Sequence, residues 1–182
     1  MEKVEIKEEG LRMEREEKAA DIIESTIKNF CNLMGFDFYS EPDLVDVFDG
    51  EERYMYIDYT PSDINYNDCE GITLRLEKGF FDDDDSYQQI ETNSSVAENK
   101  KVQELASELG LKVFIDSGPI SVLCELSVPK DFNLMKVFII REIANFEWKL
   151  KSIFPLLENT EKLVRKQLEK IRNETKKQLE NI

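Results

Sequence analysis

The amino-acid sequence predicts an α+β fold: a five-stranded, mostly antiparallel sheet with helices on one face and an appended C-terminal helix. Three patterns lead to this prediction. Residues 44–59 have the pattern of a β-hairpin. Residues 72–77 and 112–128 contain runs that alternate apolar and polar side chains, as half-buried strands do. An apolar stripe with helical spacing runs from Met135 to Phe154, which is typical of a helix packed on a core.

The first predicted helix starts at Leu11 and ends near Gly35. Its apolar residues recur every three or four positions: Ala20, Ile23, Ile27, Phe30 and Met34. Glycine is common directly after a helix, because it adopts the left-handed conformation without a steric penalty. We expect residues 1–10 to form a frayed or short extended lead-in.

The two hairpin strands are predicted to be joined by the segment Asp49-Gly50-Glu51-Glu52, because Asp-Gly between alternating apolar runs is a strong signal for a tight turn. Side chains of a strand alternate between its two faces. One face of the second hairpin strand should lie in the core: Met55, Ile57 and Tyr59. The opposite face carries aromatic and charged side chains: Tyr54, Tyr56 and Asp58.

Residues 72–77 form the third predicted strand, and residues 80–94 form an acidic connection that we expect to be exposed and mobile. A helix is then predicted from a capping box at Ser95 and Glu98 to a closing glycine at Gly110. The last two strands are predicted at residues 112–116 and 120–128.

The last helical region divides at Pro155, which we expect to break or kink the helix, because proline removes a backbone donor. Asp131 is placed to cap the helix that precedes it. Residues 156–182 are charged and helical, with apolar or small residues near heptad spacing: Val164, Leu168, Ile171, Thr175 and Ile182. We therefore predict a domain at residues 11–154 and a helical extension at 156–182.

The composition argues against several classes of function. A net charge of −15 disfavours a nucleic-acid surface, which needs a concentrated basic patch. The 182 residues contain no histidine, so the commonest general base and transition-metal ligand is missing. No stretch resembles a membrane span, and the N-terminus lacks the apolar core of a secretory signal. We expect a cytoplasmic protein with no nucleic-acid or membrane partner.

No catalytic, cofactor-binding or metal-binding residues are predicted. The three cysteines lie far apart and outside any paired motif, so buried thiols are expected. Two acidic segments, at residues 63–67 and 82–85, lack the glycine and the final glutamate of a calcium-binding loop. Phosphate-binding glycine motifs and a nucleophile with its base are also missing from the sequence. We therefore expect a protein that is not an enzyme.

The aromatic face of the hairpin is the predicted partner-binding surface. Tyr54 and Tyr56 lie near its centre, and Phe114 and Leu123 extend it on the last two strands. Charges on the same face argue against deep burial within one chain, because unpaired charges are rarely buried. A second chain is therefore expected to cover this face, as a homodimer.

The order of helix, three strands, helix, two strands and long helix resembles the type III secretion chaperone-like fold, which the YbjN-like family shares. The resemblance covers the segment FDGEERYMYIDY, the segment SVAENKKVQELASELGL and the apolar helix after VPKD. It implies a small, acidic, cytoplasmic homodimer that binds other proteins. The C-terminal extension departs from this pattern, and the resemblance supplies no site residues.

Together these observations predict a non-enzymatic protein-binding or chaperone-like module that acts as an acidic cytoplasmic homodimer. The alternative is a regulatory subunit that binds a small molecule between sheet and helix.

Overall fold

The computed structural model describes residues 2–61, 72–80, 87–116 and 118–180. The described part is α+β, as predicted, with four helices and one sheet of six strands. In chain order the elements are α1 (Glu2–Met34), β1 (Asp37–Glu41), β2 (Leu44–Asp49), β3 (Glu52–Pro61), β4 (Ile72–Phe80), α2 (Tyr87–Ala97), α3 (Lys100–Glu108), β5 (Lys112–Ile115), β6 (Ile120–Ser127) and α4 (Phe132–Leu179). The strand order is β1-β2-β3-β4-β6-β5, and the pairs whose register is described are antiparallel.

The predicted count of five strands is wrong, because β1 pairs with β2 and adds a sixth. No strand was predicted between Gly35 and the hairpin that begins at Leu44. Pro42 and Asp43 instead form a tight turn between the two strands, since Glu41 pairs directly with Leu44. Asp43 has a φ of 64°, and aspartate adopts this left-handed conformation more readily than most residues.

The first helix begins at Glu2, not at Leu11, so residues 2–10 of the predicted lead-in belong to α1. The predicted acidic connection is also shorter than expected, because α2 begins at Tyr87. The buried side chains of α2 include three polar residues, Gln89, Thr92 and Asn93. An apolar stripe therefore could not reveal this helix from the sequence.

The predicted capping box at Ser95 and Glu98 is wrong, because Ser95 lies inside α2 and the next helix begins after Asn99. The side-chain oxygen of Asn99 accepts hydrogen bonds from the backbone N–H groups of Lys101 and Val102, at 3.0 and 3.4 Å. Asparagine is among the best residues for this position.

The last helix, α4, runs from Phe132 to Leu179 with Pro155 inside it, so Pro155 does not break the helix, and of the predicted break or kink only the kink stays a prediction. The helix begins as predicted: the Asp131 carboxylate accepts the N–H of Asn133 at 2.8 Å. Pro155 is exposed. The carbonyl of Lys151, which loses its N–H partner four residues ahead, is on an exposed residue where water can bond to it.

The chain forms two compact units, and the first comprises Met1–Lys78 with Cys124–Phe146. Its core contains one face of the hairpin strands and of β4, here called the inner face, together with apolar residues of α1 and α4: Ile23, Ile27, Val45, Val47, Met55, Ile57, Leu74, Leu76, Ile139 and Ile143. The helix α1 packs on the strands β1, β2 and β3, and its Ile23 and Ile27 are fully buried.

The second unit comprises Gly79–Leu123 with Glu147–Ile182. Its core includes apolar residues of α2, α3, β5, β6 and α4: Val96, Val102, Ala106, Val113, Val122, Leu150, Ile153 and Leu157. The rings of Phe80 and Phe154 meet edge to face at 4.6 Å. Leu157 and Thr160 are buried, although they lie beyond the predicted domain boundary at residue 154.

Candidate partner-binding surface

The strand register of the first unit places Tyr39, Asp46, Tyr56 and Glu77 in one row across β1 to β4. These residues alternate with the buried residues of the inner face, so they lie on the opposite side of the sheet, here called the outer face. Asp46 and Tyr56 are half-buried, and Tyr39 is 57% exposed. The row therefore alternates two aromatic rings with two carboxylates, of which that of Glu77 is buried.

A second row on the outer face contains Glu41, Leu44, Asp58 and Arg75. The Arg75 guanidinium donates to the Glu77 carboxylate at 2.7 Å. Burial alone would lower the pKa of Arg75, but this bond and the negative charges of Glu77, Glu125 and Asp58 together raise it. Arg75 is therefore held in place as a fixed positive charge among acids.

The outer face has an excess of negative charge. Its ionised residues on β1 to β4 are Asp37, Glu41, Asp46, Arg53, Asp58, Arg75 and Glu77. Arg53 is paired with Asp46 at 3.1 Å, and Arg75 is paired with Glu77. Five carboxylates against two guanidiniums leave a net charge of three negative units. Such a face attracts positive groups of a partner.

The two outer-face tyrosines have raised pKa values for different reasons. Burial raises the pKa of Tyr56, and the nearby charge of Asp58 adds to the effect. The Tyr39 hydroxyl donates to the Glu41 carboxylate at 3.1 Å, and this hydrogen bond raises the pKa of Tyr39. Both hydroxyls are therefore neutral donors at physiological pH.

The structure gives Tyr54 different surroundings from Tyr56. The register between β2 and β3 shifts at Val47 and Phe48, and this bulge makes Tyr54 the extra residue of β3. Its ring stacks on Phe36 at 4.6 Å, and the Lys78 ammonium lies 4.7 Å from the ring centre. Tyr54 is thus engaged by its own unit, and Tyr56 is the better anchor of the predicted pair for a partner.

The other two predicted partner-binding residues, Phe114 and Leu123, lie in the second unit. The register of β5 with β6 places Phe114 opposite Ser121 and Leu123 opposite Lys112. Phe114 is half-buried, whereas Leu123 is only 5% exposed and offers little surface to a partner. Alternation correctly separated Leu123 from the face of Val122, but it could not show that both faces are covered there.

The second unit also contains a chain of polar contacts that sequence analysis did not find. Arg165 of α4 donates to the side-chain oxygen of Gln89. Gln89 donates to Asn93 at 3.3 Å, and Asn93 donates to the carbonyl of Gly118. Gln89 and Asn93 are buried. This series of hydrogen bonds links α4, α2 and the turn before β6, so its polar groups have a structural role.

The thiols of the described residues lack features of catalytic cysteines. Cys31 and Cys124 are buried, and burial raises the pKa of Cys31 to about 11. A thiol in this state is a poor nucleophile at neutral pH. The described residues contain no group of three or more cysteine, aspartate or glutamate side chains arranged to hold a metal ion. Cys69 and the acidic segments at residues 63–67 and 82–85 lie outside the described residues.

One surface depression of about 450 Å³ lies on α1. Its lining consists of six residues of that single helix: Lys18, Asp21, Ile22, Glu24, Ser25 and Lys28. A depression bordered by one helix lacks the opposing wall that encloses most of a small ligand. This depression therefore does not have the form of the small-molecule site between sheet and helix that was predicted as the alternative function.

Within the described ranges, the helices include none with the length and apolar content needed to cross a membrane. Comparison with protein-family models, curated proteins and solved structures gives no match for this chain. The resemblance to the type III secretion chaperone-like fold and the YbjN-like family therefore stays a prediction from element order.

Proposed function

We propose that this protein is a non-enzymatic protein-binding, chaperone-like module that acts as a homodimer, and that the outer face of its first unit is a protein-contact surface. The observation that carries the proposal is the composition of this face. It combines half-buried and exposed aromatic side chains, Tyr56 and Tyr39, with an excess of carboxylates. Aromatic anchors surrounded by polar groups are characteristic of protein interfaces.

The charge of the outer face defines the chemistry of the group that binds there. Two identical outer faces placed against each other would bring like charges together, which costs several kcal/mol at an interface. A positively charged protein surface would instead pair with the carboxylates at Glu41, Asp46 and Asp58. The proposal therefore assigns a basic segment of a protein to this face, and not a second outer face.

A charge reversal tests this assignment. Glu41→Lys changes an exposed residue on the edge of the outer face, and Glu108→Lys makes the same change on an exposed residue of α3. Both variants have the same net charge, so general electrostatics affect them equally. We expect protein partners captured by the wild-type chain to be lost by Glu41→Lys and retained by Glu108→Lys, and their capture to weaken with added salt.

Two outcomes would count against the proposal. Equal capture by both variants would place protein contacts elsewhere. A native mass spectrum with a stoichiometric small ligand, together with no captured protein, would favour the regulatory small-molecule alternative. Circular dichroism of each variant establishes that the fold is intact before capture is compared.

A further inference from the structure

The apolar stripe of α4 continues beyond the residues that cover it. At 100° per residue, Leu157, Val164, Leu168 and Ile171 lie within about 60° of one another around the helix axis. Leu157 is fully buried, Val164 and Leu168 are half-buried, and Ile171 is 59% exposed. Every residue from 169 to 180 is exposed. In this segment the stripe therefore lies on the same side of α4 as the buried residues, but its own side chains are half-buried or exposed.

The segment from residue 161 to 180, here called the tail, differs from the rest of the chain in charge. It contains seven basic and four acidic residues, which gives three positive units, within a chain whose net charge is −15. Arg172 lies beside the apolar stripe on the helix surface. The tail is thus a basic amphipathic helix, and a surface that covers its stripe would stabilise it, because most helical stability in proteins comes from packing of the apolar side.

We propose that the tail of one copy packs on the outer face of a second copy, and that the two copies exchange tails symmetrically. Charge complementarity identifies the occupant: the tail carries three net positive units and the outer face three net negative units. The apolar stripe at Leu168 and Ile171 lies against Tyr56 and Leu44, and Arg172 meets the carboxylates of the outer face. This inference rests on the proposed role of the outer face and names what occupies it.

A pairing of tail with tail is less favourable than this exchange. In an antiparallel pair that packs Leu168 against Ile171 of the second copy, Arg165 of one chain would lie near Arg172 of the other. A parallel pair avoids this contact but still brings together two helices of the same net charge. Exchange onto the outer face joins opposite charges, and two-fold symmetry forms the contact twice, which helps to reach the ~800 Å² per partner of a stable interface.

The test uses full-length variants and sedimentation equilibrium. Glu41→Lys makes the outer face less acidic, and Arg172→Glu makes the tail less basic. We expect each change to raise the dimer dissociation constant about tenfold, which corresponds to about 1.4 kcal/mol in total for the two symmetric contacts that it alters. Glu108→Lys is the matched charge control and should leave the constant unchanged. Leu168→Ser should weaken the dimer, whereas Leu163→Ser, off the stripe and 62% exposed, should not.

Mixing the two charge variants tests the exchange itself. In a mixed dimer, the altered face of Glu41→Lys receives the altered tail of Arg172→Glu, and both native partners also meet. We expect the mixture to form a heterodimer with close to wild-type affinity, visible in a native mass spectrum. A monomeric wild-type chain at tens of micromolar would overturn the inference. A dimer that is weakened by Leu168→Ser but unaffected by Glu41→Lys would also overturn it, in favour of paired tails.

These outcomes separate the inference from the proposed function. Loss of protein capture by Glu41→Lys with no change in the dimer would keep the outer face as a partner surface and reject tail exchange. A dimer that responds to both charge changes, with no captured protein, would keep tail exchange and reject binding of other proteins. Circular dichroism of each variant distinguishes these results from unfolding.

Discussion

The two ends of α4 show how one sequence pattern can have two structural outcomes. Residues 135–157 place an apolar stripe in the core, where Ile143 and Leu157 are fully buried. The same stripe continues into the tail, where Ile171 is mostly exposed. The spacing of apolar residues determines which side of a helix is apolar. It does not determine which surface covers that side.

The difference has an energetic consequence. Full burial of an apolar side chain in the first part of α4 contributes about 1.5–3 kcal/mol. In the tail, the described local stabilisation comes from pairs such as Lys170 with Glu174 at 3.9 Å. Such pairs contribute about 0.2–0.5 kcal/mol each. The tail therefore depends more strongly than the first part of α4 on contact with another surface to stay helical.

The largest expected effect compares two isoleucines on the same stripe. Ile143→Ala should lower the free energy of unfolding by about 2–5 kcal/mol, because it leaves a cavity at a fully buried position. Ile171→Ala should change it by less than about 0.5 kcal/mol at concentrations where the chain is monomeric, as for other exposed positions. Urea unfolding at low protein concentration measures both values.

A similar loss in the two variants would contradict the comparison, because Ile171 would then be covered within its own chain. An effect of Ile171→Ala that appears only at high protein concentration would sharpen the comparison, because a second copy would provide the cover. The two substitutions remove the same atoms, so each is the control for the other.

Much of the fold could be predicted from the sequence, because its strongest patterns are local and repeated. The hairpin at Asp49 and Gly50 and the alternation in β3, β4 and β6 led directly to the α+β class. Alternation also placed Met55 and Ile57 on the buried side and Tyr56 and Asp58 on the opposite side, as their burial shows. These predictions succeeded because a strand's side-chain period follows from backbone geometry alone.

Other features depended on contacts between distant residues. The helix α2 was missed because Gln89 and Asn93 are buried through hydrogen bonds, not through apolar packing. The position of Tyr54 could not be predicted because the bulge in β3 interrupts alternation. Leu123 was expected on an open face, but it is buried. The candidate site was therefore predicted in part, with Tyr56 as its best-placed residue.

A smaller effect is expected at Pro155, where the sequence predicted a break or a kink and the structure has a continuous helix. Pro155→Ala should raise the free energy of unfolding by about 2 kcal/mol, because alanine restores the hydrogen bond to the Lys151 carbonyl. Part of the gain is offset by the greater freedom of the unfolded chain without proline. Chemical denaturation measures the change, with Ser152→Ala as a neighbouring exposed control.

A loss of stability in Pro155→Ala would indicate that the helix needs a bend at this position. In that case the covered and uncovered parts of α4 would differ in direction as well as in burial. An increase with unchanged dimer affinity would instead show that the tail continues the helix without help from proline.

The smallest expected effect concerns the part of α4 where contacts with the rest of the chain give way to exposed helix. Arg165 pairs with Glu161 at 2.8 Å and also donates to the buried Gln89, so it links the tail to α2. Arg165→Ala should lower the free energy of unfolding by about 1 kcal/mol, since the pair is partly exposed but Gln89 loses a partner. Lys170→Ala removes one exposed pair and should cost about 0.3–0.5 kcal/mol. Thermal unfolding of both variants, five residues apart, measures the difference. Equal costs would show that the contact to Gln89 adds no stability beyond that of an exposed ion pair.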